Sequence, residues 1–107
     1  EHFVAFYLDT QLRLIERKLI SVGTLDANIV HPREVFEPAL ILHAASVIVA
    51  HNHPSGDTRP SSADIALTKK LANAARLLGI SLDDHVIVSR KEYVSMKQQG
   101  LFPVLHD

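Results

Sequence analysis

The chain has 107 residues, of which 47% are hydrophobic, so it is long enough for one compact domain and too short for two. It contains no cysteine, which excludes disulfides and thiolate chemistry and leaves histidine and carboxylate as the strong metal ligands. The formal charge is −1, from 11 basic and 12 acidic residues that are well mixed, so composition does not favour nucleic acid as a partner.

The first predicted element is a β-hairpin. Residues 3–8 are aromatic, aliphatic and β-branched, residues 9–11 offer turn chemistry, and a second run follows over residues 12–22. The second run mixes leucines with charged residues, so we expect one face of that strand to be exposed to water. Gly23 closes the strand.

A short helix is predicted from Pro32 onward. Pro32 suits a first-turn position, whereas Pro38 is expected to kink or divide the helix. The apolar residues at helical spacing are Val35, Phe36, Ala39 and Leu40.

The next run, residues 45–50, is almost continuously apolar and rich in β-branched residues, which predicts a central strand covered on both faces. A long helix over residues 62–78 follows, and Gly79 stands where a C-terminal cap is expected. The residues predicted to pack this helix on the sheet are Leu67, Leu71, Ala74 and Leu78. Two further strands, 85–89 and 93–95, are joined by a charged turn. The elements predict an α/β or α+β fold in which a mixed sheet is flanked by helices.

No window approaches the roughly 20 apolar residues that a membrane span requires. The first residues also lack the charged and then apolar layout of a signal peptide. We therefore predict a cytoplasmic protein with no membrane partner.

Chemistry concentrates in residues 51–64, which follow the predicted central strand. His51 and His53 are two residues apart on extended backbone, so both rings can point to the same side of the strand. A segment with prolines and glycine then leads to a helix that starts near Ser61, which places Asp64 in the first turn. Two imidazoles and one carboxylate leave a fourth position for water, as catalytic zinc requires.

Two simpler interpretations of this segment remain open. Ser61 followed by Asp64 resembles a capping box, so Asp64 can serve only to cap the helix. His51 and His53 can be ordinary surface or hydrogen-bonded histidines, because a His-X-His pair by itself is weak evidence for a metal. The placement of the pair between a buried strand and a capped helix favours the metal.

These residues resemble the JAMM motif of the JAB/MPN metallopeptidases, which has the pattern His-X-His-Pro and then Ser-X-X-Asp. Within that superfamily the chain is similar to the RadC branch over nearly its whole length. The resemblance rests on His-Asn-His-Pro-Ser-Gly at 51–56, Pro-Ser-Ser-Ala-Asp at 60–64, Pro-Arg-Glu-Val-Phe at 32–36 and Leu-Asp-Asp-His at 82–85. It implies one JAB/MPN-like domain over residues 1–107, a mixed sheet with flanking helices in a cytidine-deaminase-like sandwich. Longer members carry a helix-hairpin-helix region that no segment here matches, so we expect the catalytic domain alone.

The resemblance also implies roles for single residues. It assigns a zinc ion to His51, His53 and Asp64, and support of the transition state to Ser61. It further implies that an upstream glutamate on a strand takes a proton from the attacking water, and Glu1, just before the first strand, fits that place. The competing glutamates, each on or near the predicted first helix and expected to be solvated, are Glu34 and Glu37.

The implied activity is zinc-dependent hydrolysis of a peptide or isopeptide bond. The alternatives are a metal-binding module that performs no chemistry, and a DNA-repair role that the mixed charge does not support. His85, at the start of a predicted strand after two aspartates, is expected to be hydrogen-bonded rather than catalytic. The histidines that we expect to be surface or packing residues are His2, His31, His43 and His106.

Overall fold

The chain folds into a mixed sheet with helices in residues 1–23 and 30–103, the part that the computed structural model describes. In chain order the described elements are β1 (His2–Leu8), β2 (Leu14–Val22), α1 (Pro32–Ile41), β3 (Ser46–Asn52), α2 (Ser62–Leu78), β4 (Ser81–Val88) and β5 (Tyr93–Ser95). The sheet order is β2-β1-β3-β4-β5, with β3 parallel to β4 and the other neighbours antiparallel. The predicted α+β fold with a mixed sheet is confirmed.

The predicted hairpin of β1 and β2 is confirmed, and its turn depends on Asp9. The Asp9 carboxylate accepts the backbone N–H groups of Gln11 at 2.8 Å and Arg13 at 2.9 Å. Leu12 takes a left-handed conformation with φ of 62°, which closes the turn. Most of β2 is exposed, as expected of an edge strand with charged residues.

The hydrophobic core lies between one face of the sheet and both helices. Side chains alternate between buried and partly buried along β1 and β3, so each strand presents one face to the core. The core includes Phe3, Ala5, Tyr7, Val47 and Val49 from the sheet, Val35, Phe36 and Ala39 from α1, and Leu67, Leu71 and Ala75 from α2. Because both helices share this cluster, they pack on the same side of the sheet.

Three local predictions are wrong. The alternate residues of β3, Ile48 and Ala50, are only partly buried, so β3 is fully covered on one face rather than on both. The helix α1 continues through Pro38, so the expected division there is wrong, because one missing backbone hydrogen bond costs less than the buried contacts of α1 supply. Leu78, which was predicted to pack on the sheet, is 45% exposed, and Ala75 is buried in the core instead.

The segment β3-α2-β4 positions the end of one strand beside the start of a helix. Since β3 and β4 are parallel, the connection through α2 brings the helix N-terminus back to the carboxyl end of β3. Gly79 ends α2 with φ of 73°, a left-handed conformation that glycine adopts without steric cost. In the described ranges, neither helix is long and apolar enough to cross a membrane.

Tyr7 ties the sheet to α1, since its buried hydroxyl donates to the Val35 carbonyl at 2.7 Å. Burial, together with the charge of Glu16, raises the pKa of Tyr7 to about 12, so the hydroxyl stays protonated and can donate. We expect Tyr7→Phe to lower the free energy of unfolding by about 1 kcal/mol, measured by urea denaturation. The control is Tyr93→Phe at a 68% exposed position, and an equal loss in both variants would contradict the role of the Tyr7 hydrogen bond.

Candidate metal centre

His51 and His53 bring two imidazole nitrogens together at the carboxyl end of β3. His51 is the penultimate residue of the strand and is only 1% exposed. The His53 N–H donates to the Val88 carbonyl at 3.2 Å, which continues the pairing with β4 and keeps the backbone extended. Both rings therefore lie on the same side, and their Nε2 atoms are 3.0 Å apart.

Asp64 reaches this histidine pair from the first turn of α2. Its carboxylate lies 3.1 Å from His51 Nε2 and 3.2 Å from His53 Nε2, with a different oxygen facing each ring. The same residue takes part in a capping box: Oδ2 accepts the Ser61 N–H at 2.8 Å, and the Asp64 N–H donates to the Ser61 hydroxyl oxygen at 3.1 Å. Asp64 therefore both caps α2 and contacts the two histidines.

The Asp64 carboxylate is anionic at neutral pH although it is only 2% exposed. Burial alone would raise the pKa of Asp64, but contacts with His51 and with the backbone N–H of Ser61 hold it well below its ordinary value. The helix N-terminus adds favourable partial positive charge at the same position. The site therefore contains a fixed negative charge beside two imidazoles.

Glu1 lies beside the same cluster because of the register between β1 and β3. Phe3 pairs with His51 in an antiparallel ladder, so the residues before Phe3 run alongside the residues after His51. The Glu1 carbonyl accepts the Gly23 N–H at 2.8 Å, which holds the backbone of Glu1 against the hairpin. A carboxylate oxygen of Glu1 and ring nitrogens of His51 and His53 all lie within 4.8 Å of one another.

The two competing glutamates occupy α1. Glu34 is part of the N-terminal cap of the helix, where its carboxylate accepts the His31 N–H at 3.3 Å. Glu34 and Glu37 both line a surface hollow between α1 and β2. Of the other histidines predicted to lie at the surface or in packing, His31 caps α1, His2 and His43 are exposed, and His106 lies outside the described residues.

A loop carbonyl orients the ring of His53. The Nδ1 atom of His53 lies 2.6 Å from the backbone oxygen of Asp57, so Nδ1 carries the proton and donates it to that oxygen. The Arg59 guanidinium hydrogen-bonds the Asp57 side chain and lowers the pKa of that carboxyl to about 2, which keeps the pair charged. The lone pair of His53 Nε2 is thereby left to face His51 and Asp64.

His85 lies deeper, behind His51, in a position that the sequence did not predict. The two aspartates before it belong to β4 rather than to a turn, so His85 is inside the strand, pairs with Val49 and is 0% exposed. Burial, with a smaller electrostatic contribution from His51, lowers the pKa of His85 to about 3, so this ring is neutral. His85 Nε2 lies 2.8 Å from His51 Nδ1, and His85 Nδ1 lies 2.6 Å from the Thr68 hydroxyl oxygen.

The donor atoms of His51, His53 and Asp64 fit a small divalent cation. Ligands about 2.0–2.1 Å from a tetrahedral zinc ion are about 3.3 Å from one another. The two Nε2 atoms are 3.0 Å apart, and the Asp64 oxygens lie 3.1 Å from His51 Nε2 and 3.2 Å from His53 Nε2, with a different oxygen facing each ring. Lone pairs this close repel unless a proton or a cation lies between them, and the mixture of imidazole and carboxylate suits zinc and several other divalent ions.

Glu1 and Asp64 each place a carboxylate near the two imidazoles. Asp64 contacts both rings within 3.2 Å and is fixed by the Ser61 N–H. The Glu1 side chain is partly exposed and approaches the histidine nitrogens from the end of β1. Such a position suits a group that exchanges protons with solvent and substrate.

A groove of about 950 Å³ opens beside His53, between residues 52–56 and 88–92. This volume is at the upper end of the range for ligand pockets, about 300–1,000 Å³. The Thr58 hydroxyl donates to the Glu92 carboxylate at 3.0 Å and so joins the loop after β3 to the turn between β4 and β5. The groove reaches the histidine cluster at His53.

Comparison with known proteins identifies relatives of the whole described sheet and site. The family model described as "RadC-like JAB domain" matches residues 1–101. A UPF0758 protein of Methanococcoides burtonii is 56% identical over 94% of this chain and 44% of its own length. UPF0758 proteins of Geobacillus sp. (strain WCH70) and Shouchella clausii are 54% and 51% identical, over 94% and 98% of this chain and 44% and 46% of their own lengths. The chain thus spans less than half the length of these relatives.

Proposed function

Because the chain belongs to the family of RadC-like JAB domains, we propose that it is a zinc-dependent hydrolase that cleaves a peptide or isopeptide bond. One observation carries this proposal. Two imidazole nitrogens and one buried carboxylate converge within 3.2 Å, and the second carboxylate, that of Glu1, is within 4.8 Å of the same nitrogens. A second carboxylate in this place can accept a proton from an attacking water.

In the proposed mechanism His51, His53 and Asp64 would hold the ion. Zinc bound there would supply a Lewis acid that polarises the substrate carbonyl and lowers the pKa of a water toward about 7. The anionic Asp64 offsets part of the ion's charge, and the loop carbonyl at Asp57 keeps the ring of His53 in place.

Glu1 acts as the general base. Its carboxylate accepts a proton from the attacking water and then delivers a proton to the amine that leaves. The backbone hydrogen bond from Gly23 to Glu1 and the pairing of β1 with β3 keep this carboxylate near the histidines. Its partial exposure allows water and substrate to reach it.

Ser61 donates its hydroxyl proton to the oxyanion that develops on the substrate. The hydroxyl oxygen accepts the Asp64 N–H, so the side chain is already held beside Asp64 while its proton remains available to donate. Ser61 is exposed, as a group that contacts substrate must be. Capping and catalysis therefore use different atoms of the same hydroxyl.

The proposed function is tested by supplying the protein with zinc and following cleavage of peptide and isopeptide libraries by mass spectrometry. We expect new amino and carboxyl ends at one class of bond, and loss of cleavage when a chelator removes the metal. Restored cleavage after zinc is returned would exclude damage by the chelator. A zinc-loaded protein that cleaves neither library but binds a protein tightly would favour the non-catalytic module instead.

A pair of variants separates the two roles of Ser61. Ser61→Ala removes both the cap and the hydroxyl proton and should lower the free energy of unfolding by about 1 kcal/mol. Ser61→Gly also removes the hydroxyl, but glycine at an N-cap lowers the free energy of unfolding by only a few tenths of a kcal/mol. Both variants should lower the rate of hydrolysis by roughly 10²–10³, because each lacks the oxyanion donor. Full activity in a stable Ser61→Gly protein would leave Ser61 with a capping role only.

A further inference from the structure

A buried chain of hydrogen bonds connects His51 to the helix that carries Asp64. His51 Nδ1 lies 2.8 Å from His85 Nε2, and His85 Nδ1 lies 2.6 Å from Thr68 Oγ1. The Thr68 hydroxyl in turn donates to the backbone carbonyl of Asp64, one helical turn earlier, at 2.8 Å. His51, His85 and Thr68 are each at most 1% exposed, so these groups pair with one another rather than with solvent.

When the Thr68 hydroxyl donates to the Asp64 carbonyl, the single proton of each neutral imidazole fixes the direction of the other two bonds in this chain. Thr68 has one hydroxyl proton, and because the Asp64 carbonyl takes it, Thr68 Oγ1 accepts the proton of His85 Nδ1. A neutral imidazole carries one proton, so the other nitrogen of His85, Nε2, is an acceptor. His51 must then donate from Nδ1, which leaves a lone pair on the Nε2 that faces Asp64.

We propose that Thr68 and His85 are positioning residues that fix the tautomer of His51 and direct its Nε2 lone pair toward a divalent cation. The proposal rests on the proposed function, because a lone pair in that place serves a metal. A loop carbonyl fixes the same tautomer in His53. In His51, inside the core, the tautomer is fixed by the hydrogen-bonded chain of His85 and Thr68, which we call the relay. Through Thr68 the relay also joins the Asp64 backbone to His51, so two of the three ligands are held by one network.

The reverse direction of the relay would block the site. If the Thr68 hydroxyl donated to His85 Nδ1, then His85 Nε2 would donate to His51, and His51 would carry its proton on Nε2. The Asp64 carbonyl would lose the Thr68 proton as well.

Phe3 packs against both rings, stacked on His51 with centroids 6.1 Å apart and edge-on to His85 at 5.9 Å, but forms no hydrogen bond in the relay. It therefore offers a control for packing alone.

The first measurement is zinc affinity, determined by competition with a chromophoric chelator. Thr68→Val keeps the shape of the side chain and removes the hydroxyl, so zinc should bind about 10–100-fold more weakly, as is typical when a partner of a metal ligand is lost. Thr68→Ser restores the hydroxyl and should bind zinc within about threefold of the parent protein. Phe3→Leu disturbs packing only and should match Thr68→Ser. Equal affinity in Thr68→Val and the parent, or an equal loss in Phe3→Leu, would overturn the proposal.

The second measurement reads the tautomer directly, by long-range ¹H–¹⁵N NMR of the histidine rings in metal-free protein at about pH 9, where ordinary histidines are neutral. We expect His51 to carry its proton on Nδ1 in the parent and in Thr68→Ser, and to become a mixture of tautomers in Thr68→Val. A parent protein with the His51 proton on Nε2 would overturn the proposal even if zinc binds. A parent that shows the expected tautomer and binds zinc but hydrolyses nothing would contradict the proposed function and leave this inference standing.

Discussion

Replacing Glu1 with glutamine is expected to lower the rate of hydrolysis by about 10²–10⁴ while the protein keeps its zinc. The amide has nearly the same shape as the carboxylate, but it cannot accept a proton from water. Because the Asp64 carboxylate contacts both imidazoles within 3.2 Å, the metal should stay bound. The measurement pairs initial rates with zinc content for the parent and for Glu1→Gln.

The controls for Glu1→Gln are the other two glutamates that the sequence offered. Glu34→Gln preserves the helix cap, since glutamine is a common third member of a capping box, and Glu37→Gln changes a residue of the hollow between α1 and β2. Both variants should hydrolyse as fast as the parent. If Glu1→Gln were fully active while a control was inactive, the base would have to be reassigned.

Removing any one of the three proposed ligands is expected to abolish stable zinc binding. The variants are His51→Ala, His53→Ala and Asp64→Asn, and each should lose more affinity than the roughly 10–100-fold typical of outer positions, because each supplies a donor atom. Asp64→Asn keeps an oxygen that can cap α2. This variant therefore removes the negative charge and the metal ligand without removing the helix cap. Elemental analysis of folded protein should fall from close to one zinc per chain to a small fraction.

His43→Asn is the matched control for the histidine variants. His43 is exposed and has a left-handed φ of 55°, a conformation that asparagine tolerates. This variant should retain its zinc. Unchanged zinc content in all three ligand variants would instead mean that residues 51–64 form only a turn and a helix cap and bind no metal.

The sequence predicted the elements that position the site because their patterns are local. The apolar run before His51, the spacing of His51 and His53, and the serine and glycine at the two ends of α2 each carry their own signal. The start of β4 was missed because Asp83 and Asp84 are turn formers by propensity. In the sheet, however, the Asp84 carboxylate accepts the Lys97 N–H at 3.1 Å and so serves a neighbouring segment.

The groups behind the site could not be predicted, because their proximity arises only from the tertiary fold. Thr68 lies one helical turn after Asp64, a spacing that is visible in the sequence, but nothing marks it as a partner of a histidine 17 residues later. His85 meets His51 only because β4 lies parallel to β3. Glu1, in contrast, was predicted by resemblance to lie near the histidines, and the antiparallel register of β1 with β3 explains its position.

We propose above all that His51, His53 and Asp64 hold the ion while Glu1 lies beside it. The most direct test is a crystal structure of the zinc-loaded protein with anomalous data collected at the zinc edge. We expect one peak about 2.0–2.2 Å from His51 Nε2, His53 Nε2 and an Asp64 oxygen, with the Glu1 carboxylate beyond coordination distance on the open side. A peak coordinated by Glu1 in place of Asp64, or a peak elsewhere on the protein, would contradict the account.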